Sequence, residues 1–513
     1  MGRHSSTSRE SAWELGSSVS RATRLDHARQ AAAEHTVHSR QFTSLPQGHA
    51  FALGFLSALA LCAAFPITLI GLTPSSSPYG WPWAVAVMVV AGSGLAIVIG
   101  RKARSVFEMV FWLFTYVFFG AAPLVQLRLE VDPDTTPGLD HRLDTATFAL
   151  VLVGVIAFWI GTLFARAQGN LAPFRQNHEA LSQGRTRLLA LIALALFAWF
   201  VVQIGPSGLF AARDVRSAIV SAAWPNVTTA AVVSAGVSMS LLVSTVAQVA
   251  ILRRDPHTRK IANYVLVSAT LIALLLVVNP VSSARYLFGT VALGLVAAFG
   301  GYRTVGRFRL VAASSVLGLL FAFPLIDLFR QSLDARLELR SPVQSLLSGD
   351  FDAFGQLTNT VSYVGETGVT YGNQLLGVLF FWVPRSIWAA KPVDTGILLA
   401  NYRGYEFTNL SSPLWGEFYI NGGWWLLVPG MLLFGVLVGR WDLRSEALMQ
   451  RHGLPTVLGC VVPFYLLIVL RGSLLQSMAY LSLLVICALL TKARSKDVDA
   501  HLAPENASLR LSK

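Results

Sequence analysis

The chain has 513 residues, 54% hydrophobic and only 13% charged, with a mean hydropathy of +0.56; a soluble domain carries about 25% charged residues. Repeated apolar runs of roughly 18–22 residues exclude a string of soluble domains and describe one polytopic helical membrane domain. The three cysteines, Cys62, Cys460 and Cys487, all fall inside apolar runs, which leaves them as small packing residues and excludes a disulfide framework or a cysteine metal site.

In chain order, residues 1–47 are rich in Ser, Arg, Ala and His. They have no sustained apolar face and read as a disordered cytoplasmic tail. No cleavable signal is expected, because the first apolar run starts only near Ala50. Apolar spans follow at about 50–73, 81–100, 105–127, 147–165, 188–204, 229–251, 262–278, 286–301, 309–326, 423–439, 455–470 and 474–491. This makes about 12 transmembrane helices, each near the length that crosses a ~30 Å hydrocarbon core. The membrane domain covers 48–492, with a large extracytoplasmic loop at 327–422 between helices 9 and 10, and a cytoplasmic C-terminal tail at 493–513.

Charge fixes the expected orientation. With the N-terminus in the cytoplasm and strict alternation, about 28 of the 40 Lys and Arg fall in inner segments and about 12 outside. About half of the outer ones sit in the single long loop, and long loops translocate largely regardless of charge. The net charge of +13 is therefore a topology signal, and no nucleic-acid partner is expected. The run 375–383, LLGVLFFWV, is apolar but too short to span and stops at Pro384. It reads as an interfacial or re-entrant segment on the outer face, because a crossing there would turn the last basic segments outward. No internal repeat is visible.

The polar residues of the outer side are the candidates for chemistry. Arg213 and Arg216 stand at i, i+3 and share one face of a short helix, where they form either a fork for phosphate oxygens or a solvated amphipathic face. Arg285 lies in a link of a few residues between two apolar spans. A guanidinium there must face a wet cavity, a partner or the headgroups, and snorkelling is the bland alternative. Arg471, in LRGSLL, follows the same logic. Arg385 follows Pro384 at headgroup depth, Lys391 is the one lysine outside the cytoplasm on this topology, and Arg403 sits in ANYRGYEF. Each either binds an anion or anchors to lipid phosphate.

Glu417, in SPLWGEFYINGGWW, stands just before a membrane entry. Partial burial there would raise its pKa and suit it to act as a general base; an ion pair is the alternative, and Glu366 and Glu406 are its rivals. The stretch 328–347, with Arg336 and Arg340, reads as a solvated surface helix. DPD (132–134) and DFD (350–352) match an acid-x-acid pattern for metal and nucleotide-sugar binding, but three-residue matches are weak and both lie outside, where nucleotide sugars are absent. His141 is the single outer histidine on this topology, so a Ser–His or Cys–His nucleophile is not expected. No zinc spacing, P-loop or Rossmann glycine pattern is present.

The strings FFWVPRSIWAAKP, LSSPLWGEFYINGGWW and LRGSLL together resemble the bacterial oligosaccharide repeat-unit polymerases, the O-antigen polymerase family, most clearly over about 360–480. The resemblance implies an all-α, GT-C-like polytopic fold with no nucleotide domain. It implies a polyprenyl-diphosphate-linked glycan as donor, with undecaprenyl diphosphate as the carrier, and a lipid-linked repeat unit as acceptor. A chain-length regulator and a flippase are the candidate protein partners. Arg285, Arg385 and Arg471 fall where diphosphate-gripping arginines would be expected, and Glu417 lies in the Gly-Glu-aromatic string. The related ligases are expected to use a histidine in the large outer loop, and this loop has none.

The expected reaction needs no ATP, since the glycosyl diphosphate is already activated, and no metal or other cofactor. Arginines would hold the diphosphate, Glu417 would take the proton of the acceptor hydroxyl, and the Trp and Tyr of 382–425 would stack on sugar faces. The alternatives are a ligase moving finished polymer to another acceptor, a lipid-oligosaccharide flippase, and a non-enzymatic assembly subunit. Against a transporter stand the lack of repeat symmetry and the near absence of charge within the helices.

Overall fold

The structure is a computed structural model that describes residues 47–74, 77, 79–169, 180–319, 341–408 and 410–493. The chain divides into a unit Met1–Ala52, of which only the start of the first helix is described, and a unit Leu53–Lys513 that contains everything below. The expected surface helix carrying Arg336 and Arg340 lies outside the described residues, as do most of the two tails expected to be cytoplasmic. Among the described residues the secondary structure is helical, apart from one isolated bridge between Leu181 and Lys492.

Among the described residues, seven helices are long and apolar enough to cross a membrane: Phe51–Leu72, Trp81–Gly100, Val106–Leu129, His141–Gln168, Gln183–Gly208, Val227–Arg254 and Trp424–Arg451. Four shorter apolar helices accompany them, Ile261–Val277, Arg285–Ala298, Val457–Arg471 and Leu474–Leu490. This is the architecture of a multi-pass helical membrane protein. The reason is the solvent: in lipid each backbone N–H and C=O must be satisfied within the segment, and a helix does so. The ninth expected span is a 13-residue helix, Val305–Leu317, as far as it is described.

Val106–Leu129 is the hub, with its apolar window buried throughout. It contains a π-turn, Val117–Ala121, just before Pro123, and Phe51–Leu72 repeats the device at Ala60–Ala64 before Pro66. Proline brings no N–H to the ladder, and an inserted residue accommodates the defect. The closest crossing joins the helices Asp144–Gly169 and Trp424–His452. A Cβ on Gly161 would meet the carbonyl oxygen of Leu432 at 2.1 Å, and one on Gly435 would meet that of Phe158 at 2.1 Å. The two backbones therefore touch through glycine, as small residues permit in membranes.

The two ends of the bundle are polar and different. At one end, segments that the charge rule places together do meet. Arg101 and Arg166 both pair with Glu108, Arg104 pairs with Glu446 at 2.8 Å, and Arg309 donates to the carbonyls of Ile99 and Arg101. Asp442 accepts from the backbone N–H of Phe107 and Glu108, capping the start of the hub helix.

At the other end the large loop is folded into helices, Ala353–Thr367, Asn373–Leu379, Thr395–Arg403 and Leu414–Gly422. Asn373–Leu379 covers the start of the short apolar run; it has seven residues and ends in turns carrying exposed Phe380 and Trp382. Leu414–Gly422 is fixed by Trp415. That side chain is fully buried, donates from Nε1 to the Val151 carbonyl at 3.2 Å, and stacks with Phe111 and Phe114 of the hub. Gly154 leaves the room, since a Cβ there would lie 2.2 Å from Trp415 Nε1. Trp415 is thus a core residue that pins the loop to the bundle, and its buried ring is not placed to stack on a sugar in solvent.

Candidate functional site

A cavity of about 600 Å³ opens where the loop meets the helix ends, within the 300–1,000 Å³ range of small-molecule sites. Three arginines from distant parts of the sequence line it. Arg213 opens the helix Arg213–Ala223, Arg285 opens Arg285–Ala298, and Arg471 closes Val457–Arg471. Arg285 and Arg471 lie at helix ends because the adjoining apolar runs cannot carry a guanidinium into lipid; Arg213 starts a short amphipathic helix.

The turn Gly349–Phe351 and the following Asp352 supply the matching acids. Asp350 forms an ion pair with Arg285, which is only 7% exposed. Asp352, buried, accepts from Arg471 Nη2 at 3.0 Å, Ser411 Oγ at 2.9 Å and Thr135 Oγ1 at 2.9 Å. Arg471 also donates to the carbonyls of Asp350 (2.9 Å) and Gly349 (3.2 Å), and its guanidinium lies 4.8 Å from the ring centre of Tyr286. Tyr286 in turn donates to the Asp350 carbonyl at 3.1 Å. Asp134 and Asp214 also line the cavity. The wall is therefore of mixed charge: guanidinium donors for phosphate oxygens stand beside carboxylate acceptors for hydroxyl groups. Arg471 acts chiefly on the turn itself, and through it holds Asp350 against Arg285.

The other five expected site residues lie off the cavity lining. Arg216 donates to the Val277 carbonyl (2.8 Å) and to Ser282 Oγ (2.6 Å), tying its helix to the 278–284 link; burial lowers its pKa. Arg385 donates to the carbonyls of Lys391 and Pro392, and Lys391 to those of Phe381 and Val383. The two cations thus staple one loop together. Desolvation, then the Arg385 charge, lower the Lys391 pKa. Arg403 donates to Gly138 and lies near Tyr405, whose hydroxyl donates to the Pro137 carbonyl at 2.9 Å. The expectation of one pocket shared by Arg285, Arg385 and Glu417 is thus corrected. Arg385 is turned to its own loop, because carbonyls left bare by the turns at 381–392 are nearer acceptors than anything in the cavity.

Glu417 is completely buried behind the cavity. Its Oε2 accepts from Thr395 Oγ1 at 2.9 Å and its Oε1 from the backbone N–H of Leu474 at 3.1 Å, at the first turn of the last helix. Its pKa is raised to about 7, chiefly by burial and also by the neighbouring Asp394 carboxylate, against the hydrogen bonds that lower it. Asp394 N-caps Thr395–Arg403 through Gly396 N at 2.9 Å, is itself buried, and is raised by desolvation. Glu366 and Glu406 are exposed.

Sequence reasoning missed Asp350, Asp352, Tyr286 and Asp394. The DFD string was visible, but its arginine partners lie from 65 to 119 residues away, and its pattern pointed to metal chemistry rather than to ion pairing. His141 sits between Asp132 (3.4 Å) and Asp144 (3.3 Å), stacked on Tyr79, and serves as a brace. Among the described residues no three of His, Cys, Asp or Glu come together as a metal site would require. No protein family, curated protein or solved structure matches this chain.

Proposed function

We propose that the protein is a membrane glycosyltransferase that polymerises polyprenyl-diphosphate-linked oligosaccharide repeat units on the outer face of the cytoplasmic membrane, with 12 crossings, a GT-C-like arrangement and both termini inside. One observation carries the reading: Arg213, Arg285 and Arg471 converge, with aspartates and tyrosines, on a single cavity at the junction of the outer loop and the apolar helices. A ligand with an anionic head, polar rings and a lipid tail suits that junction chemically. The resemblance of 360–480 to the repeat-unit polymerases supports the same substrate class.

In this mechanism an acceptor hydroxyl oxygen bonds to the anomeric carbon of the donor, the carbon–oxygen bond to the diphosphate breaks, and polyprenyl diphosphate leaves with the bonding pair. Arg213 and Arg285 offset the charge that builds on the departing diphosphate. Charge-assisted hydrogen bonds in a partly dry cavity are the strongest means of doing so. Asp350 holds Arg285 in place before the ligand arrives, and the carboxylates of the wall accept sugar hydroxyls. The proton released by the acceptor must reach a base.

The test is reconstitution of the purified protein in liposomes with a lipid-diphosphate-linked repeat unit, followed by gel analysis of product length. A ladder is expected from the wild type, with a fall of about 10²-fold or more in Arg285→Ala. An undiminished ladder from Arg285→Ala would remove the site. Cells lacking the protein should accumulate single-unit products; lipid-linked long polymer in its place would favour the ligase reading.

A further inference from the structure

Behind the cavity wall lies a second polar cluster that the arginine site does not use. Glu417 and Asp394 are brought together there by two loop helices, Leu414–Gly422 and Thr395–Arg403, against the start of Leu474–Leu490. Both carboxylates are more than nine-tenths buried, and neither lines the cavity. Ser473 does line it, and stands between the cavity and the pair. Its hydroxyl is buried and lies within hydrogen-bonding reach of both carboxylates, where it favours their charged forms. The Asp394 carboxylate is buried too, with the Ser473 hydroxyl and the backbone of Gly396, Ile397 and Gln476 around it. A buried hydroxyl that can give or take a proton thus joins the wall of a polar cavity to two buried carboxylates.

We propose that Ser473 is a proton relay, its hydroxyl taking a proton from a group bound in the cavity while passing its own to the Glu417–Asp394 carboxylate pair. This rests on the glycosyl-transfer reading for the identity of the donor group, a sugar hydroxyl. The step balances: the acceptor oxygen keeps its electron pair for the new glycosidic bond, Ser473 is neutral before and after, and the carboxylate pair gains one proton. The pair is suited to hold it. Burial and mutual repulsion favour one shared proton over two adjacent charges, so the fully ionised pair takes up the proton and becomes singly protonated, and the backbone and hydroxyl donors on Glu417 keep its charged form within reach before the step. Asp394 is the charged group facing Glu417. Thr395, Ser473 and the Leu474 N–H are its neutral neighbours, and the Ala353–Thr367 helix brings Thr360 against the adjoining Gly416. The arrangement also accounts for a carboxylate that is sealed from the cavity and nevertheless carries a pKa near neutrality: it would act through the serine.

Two measurements on the purified full-length protein decide the matter. The first is infrared difference spectroscopy of the protonated carboxyl band, assigned by its loss in Glu417→Gln or Asp394→Asn, with its exchange followed in heavy water. Ser473→Ala should slow that exchange at least ten-fold and Ser473→Thr should restore it, while thermal unfolding stays at the wild-type temperature. The second is the polymerisation assay across pH. Ser473→Ala should lower turnover by about 10²-fold or more, Ser473→Thr should recover most of it, and Glu417→Gln should flatten the pH dependence near 7. Equal exchange in wild type and Ser473→Ala overturns the relay. Undiminished turnover in Ser473→Ala overturns its part in the reaction. A wild type that forms no polymer takes down the glycosyl-transfer reading, and the exchange measurement still decides the relay.

Discussion

Replacing Asp352 by alanine tests the organisation of the cavity. The carboxylate is 2% exposed and receives Arg471, Ser411 and Thr135. Removing one partner of a fully buried ion pair costs about 3–5 kcal/mol. Arg471 is less isolated than that limit: its side chain is 17% exposed, and it keeps two carbonyls and the Tyr286 ring. The two hydroxyls lose an acceptor worth about 0.5–1.5 kcal/mol each, but can turn to other groups. The expected loss is therefore about 2–4 kcal/mol, read from unfolding of the detergent-solubilised protein. Arg471→Ala alone should cost a similar amount, and the double variant should fall short of the sum by about 1–3 kcal/mol. A cost below about 1 kcal/mol, or additivity of the two within about 0.5 kcal/mol, would refute the claim that this pair holds the 349–352 turn.

Other outcomes follow from the same geometry. Glu417 binds its proton more tightly folded than unfolded, so stability present below its ordinary pKa is lost as pH rises from near 4.5 to about 7. The loss amounts to about 3 kcal/mol for this group, and Glu417→Gln should lack that component of the pH-dependent unfolding curve. Gly435→Leu, whose Cβ would stand 2.1 Å from the Phe158 carbonyl, should force apart the helices Asp144–Gly169 and Trp424–His452 and sharply reduce folded protein in the membrane, measured by size-exclusion recovery. Trp415→Ala should cost about 3–5 kcal/mol and loosen the Leu414–Gly422 helix, seen as faster amide exchange at Glu417. Arg385→Ala, which breaks only local bonds to the carbonyls of Lys391 and Pro392, should leave ligand binding in the cavity within about two-fold of the wild type.

Much of the molecule was legible in one dimension. The helices at 81–100 and 227–254, for example, appear where apolar runs of spanning length predict them, because a lipid-facing backbone has few other ways to satisfy its hydrogen bonds. The placing of Arg285 and Arg471 at the ends of apolar runs was legible for the same reason: each run stops where a charge would enter hydrocarbon. What the sequence could not tell was which of these charges share a space. Arg385 and Lys391 look as available as Arg285 on paper, and only the fold shows that they turn to carbonyls of their own loop. Asp350 and Asp352 acquire meaning only through Arg285 and Arg471, partners brought close by tertiary packing and not by spacing. Glu417 stands just before a membrane entry in the sequence; its complete seclusion, with Asp394 beside it and Ser473 between the pair and the cavity, was decided by the way Trp415 draws its helix into the bundle. Hydrophobic length is a local property and can be read along the chain, whereas the pairing of buried charges depends on non-local packing that appears only when the helices close around them.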